Sequence, residues 1–197
     1  MGRRVKAKPA RTSPDFEVLD VANTVLGGGF LSRLNLNLRE QKGWSYGAKA
    51  ELGSAPLIGE LGIGSAVQTD KTADAMREID REIRELGTSR PPSPQEITVA
   101  KNAMLLGLSS SLQSPTGAYA LYYDAYRFNF AADYWNKYVP TIQALTPEAI
   151  GQAASRLYRS NELTWFVVGD LSKIEAGVRK LNLGEVMVYN SDGTRSR

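Results

Sequence analysis

Apolar and polar positions repeat along this chain with two different periods, and the switches between them divide it into elements. Ser13-Pro14 reads as an N-cap followed by proline in the first helical turn, opening a helix with Leu19, Ala22, Val25 and Leu26 on one face. Three consecutive glycines, Gly27 to Gly29, supply the backbone freedom to end that helix and reverse the chain. A second helix restarts at once. Leu31, Leu34 and Leu38 give it a buried stripe, with Arg33, Asn37 and Glu40 on other faces, and Gly43 closes it.

The period then changes to two. Tyr46 to Gly53 and Gly59 to Val67 read as strands, the second with Leu61, Ile63 and Val67 alternating against Gly62 and Gly64. Ala55-Pro56 turns between them, which predicts an antiparallel hairpin. From Thr69-Asp70 a helical period returns, with Met76, Ile79, Ile83 and Leu86 as a narrow apolar stripe up to Gly87. Asp80 with Arg84 and Arg81 with Glu85 stand four apart, as helix-surface pairs do.

Thr88 to Pro92 is the clearest linker. Ser93-Pro94-Gln95-Glu96 then carries an N-cap, a first-turn proline and a capping-box glutamate ahead of a long helix through Leu112. Ser114-Pro115 and Thr146-Pro147 open further helices, the latter through Leu157. Leu163 to Val168 reads as a short central strand, Gly169-Asp170 as a turn, Leu171 to Leu181 as a helix and Glu185 to Tyr189 as a last strand. The order is a helix pair, a hairpin, about four helices, strand, helix, strand. This is an α+β pattern, with neither internal repeat nor low-complexity segment.

Composition narrows the chemistry. The 197 residues are 42% hydrophobic, enough to bury a sizeable core. The net charge of +3 is misleading: residues 1–11 hold five basic groups (Arg3, Arg4, Lys6, Lys8, Arg11) and no acid, leaving 19 basic against 21 acidic side chains in the body. Residues 1–12 are therefore read as a basic tail, disordered or vector-derived, residues 13–190 as one domain and 191–197 as a second tail. No nucleic-acid partner is expected. There is no apolar run of membrane-spanning length and no signal-peptide core, so a signal would lie upstream if the parent protein is exported. The compartment is otherwise unreadable, with the bacterial periplasm as the leading expectation.

The chain has no cysteine and no histidine, which removes thiolate sites, Ser-His and Cys-His nucleophile pairs and the commonest transition-metal ligands. No metal site is expected within it. The glycine run lacks Gly-x-Gly-x-x-Gly spacing and follows a helix instead of a strand, so a dinucleotide cradle is not indicated. Nine of the 17 aromatics fall between Tyr119 and Tyr138, more than one helix face can bury. They read as core plus a wet helix surface, or as a face for a partner domain or a peptide.

Arg39 and Tyr46 remain. The helix-to-strand turn is expected to place guanidinium and phenol on one surface, where both can donate hydrogen bonds to a peptide carbonyl or an oxyanion. On spacing alone the plainer reading is a surface ion pair between Arg39 and a nearby carboxylate, with Tyr46 an ordinary strand residue.

The surrounding motif adds to this. Leu26 to Leu34 (Leu-Gly-Gly-Gly-Phe-Leu-Ser-Arg-Leu), Leu38-Arg39-Glu40 and Gly43 with Tyr46 resemble the C-terminal homologous domain of the pitrilysin/insulinase family of zinc metallopeptidases, which includes the mitochondrial processing peptidase. Arg90-Pro91-Pro92 and Val167-Val168-Gly169-Asp170 are similar too, so the likeness covers roughly residues 10–190. It implies a mixed, largely antiparallel sheet covered by helices. It also implies catalytic and substrate-binding roles for Arg39 and Tyr46, with Arg39 holding the substrate backbone and Tyr46 donating to the scissile carbonyl. In that family the zinc is held by an inverted His-x-x-Glu-His motif in the N-terminal homologous domain, so zinc is expected in a partner half, fused or separate, and this chain would not be active alone. The two halves would close around an extended peptide.

Such domains usually begin with a strand ahead of the first helix. Here only the basic tail precedes Ser13, so an edge strand is expected to be missing or replaced. The alternatives are a non-catalytic scaffold of the same family and a peptide-binding module that uses an open sheet edge.

Overall fold

Eight α-helices and one β-hairpin are built from residues 10–53, 59–159 and 162–196, the parts described by the computed structural model. Helix α1 (Phe16–Asn23) begins two residues after the expected proline, with Asp15 at its cap, and runs on as a π-helical turn over Thr24–Gly28. Helix α2 (Arg33–Asn35) likewise widens into a π-helical segment, Leu36–Gln41. Strands β1 (Ser45–Leu52) and β2 (Leu61–Val67) form an antiparallel pair, and the expected turn at Ala55-Pro56 falls outside the described residues. Helices α3 (Thr72–Leu86), α4 (Pro94–Leu112), α5 (Pro115–Arg127), α6 (Tyr134–Ala144), α7 (Pro147–Leu157) and α8 (Leu171–Lys180) follow.

Local chemistry sets most helix starts. Ser93 and Glu96 form the expected capping box, and the hydroxyls of Ser114 and Thr146 accept from the N–H groups of Gly117 and Ala149. Asp80 and Arg84 pair at 2.6 Å as spacing suggested. Arg81, by contrast, turns to Glu78 (2.6 Å) and Glu85 to Arg90 (3.2 Å).

One core holds the layers together. Leu26, Leu34, Leu38, Ile83, Leu86, Ile142, Ile150 and Leu157 are fully buried, joined on the β1 side by Ala48 and Ala50. Helix α1 packs on α7, α4 and α6, while its π-helical end lies against β1; α8 packs on α3. Leu31, expected inside, is 57% exposed, and Arg33 and Asn37, expected on other faces, are buried. The stripe of α2 is therefore Leu34 and Leu38 alone, because its first turn starts only at Arg33, beyond Leu31.

Two expected strands are not paired. Among the described residues the sheet contains only β1 and β2; Leu163 to Val168 forms no ladder, and Glu185 to Tyr189 contributes one isolated bridge, Tyr189 with Arg195. A strand is defined by its neighbour, and composition cannot supply one. No helix among the described residues is long and apolar enough to cross a membrane.

Candidate functional site

The glycine run acts through its size. None of Gly27 to Gly29 has a positive φ, so left-handed backbone is not what the run provides. A Cβ on Gly27 would stand 2.4 Å from the Ala50 nitrogen and 2.6 Å from the Ala50 Cβ. The end of the first helical segment thus touches the outer edge of β1 backbone to backbone. Two side chains seal the same edge: Asn23 donates to the Ala50 carbonyl (2.8 Å) and the Ala48 N–H donates to Asn35 Oδ1 (2.8 Å). Buried Tyr158 donates to Asn23 Oδ1 at 3.2 Å and fixes that amide in turn.

Arg39 lies in the π-helical part of α2, which ends where expected. Gly43 adopts φ +63, the Trp44 N–H reaches back to the Leu38 carbonyl (2.9 Å), and β1 starts two residues later.

Strict alternation from there would place Tyr46 on the inner face with Ala48 and Ala50, each 1% exposed. Tyr46 is instead fully exposed. The cause is a bulge: Ser45 pairs with Val67 but Ala48 with Ser65, so Tyr46 and Gly47 together face Ala66 alone. Hydroxyls satisfy the displaced backbone. Ser45 Oγ accepts from the Gly47 N–H (3.0 Å), Ser65 Oγ donates to the Gly47 carbonyl (2.9 Å), and the two hydroxyls bond each other (2.8 Å). The extra residue moves Tyr46 to the outer face, beside a smooth lane of Ala66, Gly64 and Gly62.

The expected meeting of Arg39 and Tyr46 takes a looser form. The Arg39 guanidinium lies over the Phe30 ring, 4.3 Å from its centroid, with Nε 3.4 Å from Glu40 Oε1. No direct bond joins it to Tyr46, whose hydroxyl has no partner among the described residues. Ser45, Ser65 and Phe30 are residues that sequence reasoning passed over. Phe30 lay inside the glycine motif, whereas the two serines gave no signal.

A buried polar network anchors α2. Arg33 donates to both carboxylate oxygens of Glu96 (2.6 and 2.8 Å) and to the carbonyls of Arg90 (2.6 Å) and Pro91 (3.0 Å). Burial pushes the Glu96 carboxyl up, but its bonds from Arg33 and the Ser93 N–H outweigh burial and hold it at about 2. One turn on, Asn37 donates to Glu78 and Glu82 (2.9 Å each), and Glu82 also pairs with Arg90. The Arg90-Pro91-Pro92 linker is thus clamped beneath the helix that carries Arg39.

The aromatic cluster divides in two. Phe128, Phe130 and Tyr134 stack on one another and, with Phe16, enclose the Arg11 guanidinium, which bonds Glu17 (3.1 Å) and Tyr134 (2.8 Å). Tyr119, Tyr122 and Tyr126 on α5 stay exposed. Two hollows of about 280 and 270 Å³ lie beside α1, and neither Arg39 nor Tyr46 lines them. The Arg39 and Tyr46 side chains sit on open surface, which can enclose a substrate only against a second body. With no histidine or cysteine in the chain, and no group of three or more carboxylates placed to hold an ion among the described residues, the residues present do not fit a zinc site.

The family described as peptidase M16 inactive domain matches residues 4–104. Solved structures share the fold. A peptidase M16 inactive domain from Pseudomonas fluorescens aligns at 21% identity and TM-score 0.67, over 78% of this chain and 36% of that one. A protease from Helicobacter pylori aligns at 17% identity and TM-score 0.63, over 77% of this chain and 36% of its own. A candidate zinc protease from Bordetella pertussis Tohama I aligns at 20% identity and TM-score 0.62, over 78% of this chain and 84% of that chain. The chain therefore spans about a third of the first two. No curated protein matches it.

Proposed function

The chain belongs to the peptidase M16 family as an inactive domain, and on that premise we propose that it serves as the zinc-free half of a two-part zinc metalloendopeptidase. The observation that carries this reading is the bulge that turns Tyr46 outward and leaves its hydroxyl free beside a side-chain-poor lane. Burying Ser45 and breaking a ladder to expose a tyrosine gains the fold nothing, so the gain lies in what the phenol meets.

In this reading the partner half, fused or separate, holds the zinc that activates water, and closes over the hairpin face. An extended peptide lies between them. Tyr46 donates its O–H to the scissile carbonyl oxygen, a bond that strengthens as negative charge develops there. Arg39 leaves Phe30 or pivots on it to hold a neighbouring substrate carbonyl, its planar fork fixing the register of the chain. The clamped linker and the sealed β1 edge keep α2 and β1 in fixed relation, so the two donors are preorganised.

The exposed tyrosines of α5 favour a second reading, a non-catalytic binding subunit of the same family. Mixing the chain with a zinc-bearing half and following cleavage of a quenched fluorescent peptide separates the two. The proposal expects hydrolysis that needs both halves and is abolished by a zinc chelator. A stable complex in which this chain adds nothing to the zinc half's activity supports the subunit reading.

A further inference from the structure

Phe30 follows the glycine run but takes no part in its packing. The ring is 59% exposed and is not among the apolar side chains that pack on the core. Its backbone is nonetheless held firmly. The carbonyl of Gly29, the residue before it, accepts from Asn35 Nδ2 (2.9 Å) and from the Ser32 N–H (3.1 Å), while Asn35 Oδ1 accepts from the Ala48 N–H (2.8 Å). One side-chain amide thus ties the turn that presents Phe30 to the strand that presents Tyr46. An exposed phenylalanine is ordinary in itself; what distinguishes this one is the group that lies on it.

That group is the Arg39 guanidinium, 4.3 Å from the ring centroid. Arg39 Nε stands 3.4 Å from Glu40 Oε1, and neither terminal nitrogen has an acceptor among the described residues. A guanidinium carries its five N–H groups in one plane. A carboxylate fixes that plane by occupying donors, as Glu96 does for Arg33. An aromatic face attracts the cation through the ring quadrupole and occupies none. Two arginines on one short helical segment are therefore held in opposite ways: buried Arg33 has its donors filled, whereas Arg39 keeps its terminal donors free. An unsupported surface arginine samples many rotamers, and a substrate that bonds it must freeze them. Phe30 restricts them beforehand.

We propose that Phe30 is a positioning residue for Arg39: the ring holds the guanidinium on the open surface with its terminal N–H groups free, so that a substrate carbonyl meets donors already in place. The glycine run and the Arg39 helix then act as one device, in which Gly27 and Asn35 fix the turn and the ring fixes the arginine. The inference rests on the reading of Arg39 as a substrate donor, and Phe30 itself touches no reacting atom. Arg39 holds substrate backbone in ground state and transition state alike, so loss of the ring is felt in KM and little in kcat.

The test uses the chain reconstituted with the zinc-bearing half and steady-state cleavage of a peptide substrate. Phe30→Leu, which keeps an apolar side chain but removes the aromatic face, is expected to raise KM about tenfold with kcat changed by no more than about twofold. Phe30→Trp, whose face binds cations at least as well, keeps KM within about twofold of the wild type. In the Arg39→Ala background Phe30→Leu has no further effect. A second readout needs no cleavage: in proton NMR of the chain, the Arg39 Cδ protons are shifted upfield by the ring current in the wild type and in Phe30→Trp, and return to ordinary positions in Phe30→Leu. Unshifted protons in the wild type, an unchanged KM for Phe30→Leu where Arg39→Ala raises it, or an equal rise on both Arg39 backgrounds overturns the inference and leaves the role of Arg39 standing. No effect of Arg39→Ala on KM or kcat removes that role, and the inference with it.

Discussion

Replacing Gly27 by alanine tests whether the glycine run works by size. The new methyl would meet the Ala50 nitrogen at 2.4 Å, the Ala50 Cβ at 2.6 Å and the Lys49 carbonyl carbon at 2.9 Å, all against ordinary contacts of about 3.4–4 Å. Two of the three are backbone, so no side-chain rotation relieves the overlap. Helix and strand must separate by about 1 Å, which for an overpacked core costs about 1–3 kcal/mol. Separation also stretches the 2.8 Å bond from Asn23 to the Ala50 carbonyl, and a buried polar group left unpaired costs about 1–3 kcal/mol more. The gain in helix propensity over glycine, about 1 kcal/mol, offsets part of this. The expected net loss is about 1–5 kcal/mol in urea denaturation followed by circular dichroism. Gly29→Ala is the control: nothing lies within 4 Å of its Cβ and its φ is −156, so its effect should stay within about 0.5 kcal/mol. Gly28→Ala meets Thr24 first, its Oγ1 at 2.9 Å and its Cβ at 3.1 Å, and should fall between. Equal effects at Gly27 and Gly29 would refute the packing argument and return the run to backbone freedom.

Three further outcomes are expected. Arg33→Met leaves two carbonyls unpaired and Glu96 with only its Ser93 N–H bond, and should cost about 3–5 kcal/mol by denaturant titration; the wild-type acid limb, where stability held by ionised Glu96 is lost as pH falls from about 4.5 toward 2, should shrink with it. Partly buried Asp20 behaves oppositely: burial pushes its carboxyl up to about 6, with Arg11 opposing and Glu17 adding, so stability falls as pH rises from about 4 to 6. Asp20→Asn should therefore stabilise the protein by about 1–3 kcal/mol at pH 7 and by nothing at pH 4, as read from urea midpoints at the two values. Ser65→Ala removes a hydroxyl from the bulge, and should cost about 1 kcal/mol while lowering kcat of the reconstituted peptidase more than it changes KM.

Which features the sequence announces follows the range of the interaction. Ser93 with Glu96, Ser114 with Gly117 and Thr146 with Ala149 act within one turn, and all three helix starts stand where the spacing put them. The stop at Gly43 is equally local. Arg33 illustrates the opposite case: a charge on a short helix is ordinarily solvated, and its burial depends on Glu96, 63 positions away. The bulge is hidden for the same reason, since Ser45 and Ser65 are 20 residues apart and neither residue type marks a bulge. Leu163 to Val168 has strand composition, yet its pairing depends on an edge that the described residues do not provide. Arg39 and Tyr46 were legible as candidates; that one rests on Phe30 and the other stands free at a bulge was not.

Tyr46→Phe, measured as kcat and KM on a peptide substrate with the zinc-bearing half present, tests the central claim most directly. The substitution removes one hydroxyl from a fully exposed ring and leaves the bulge, held by Ser45 and Ser65, untouched. The account predicts a fall in kcat of about 10²–10³ with KM changed by no more than about twofold, because the lost bond is made chiefly in the transition state. Cleavage that proceeds at the same rate without the hydroxyl would contradict it, and would leave this domain as a binding half with no part in the chemistry.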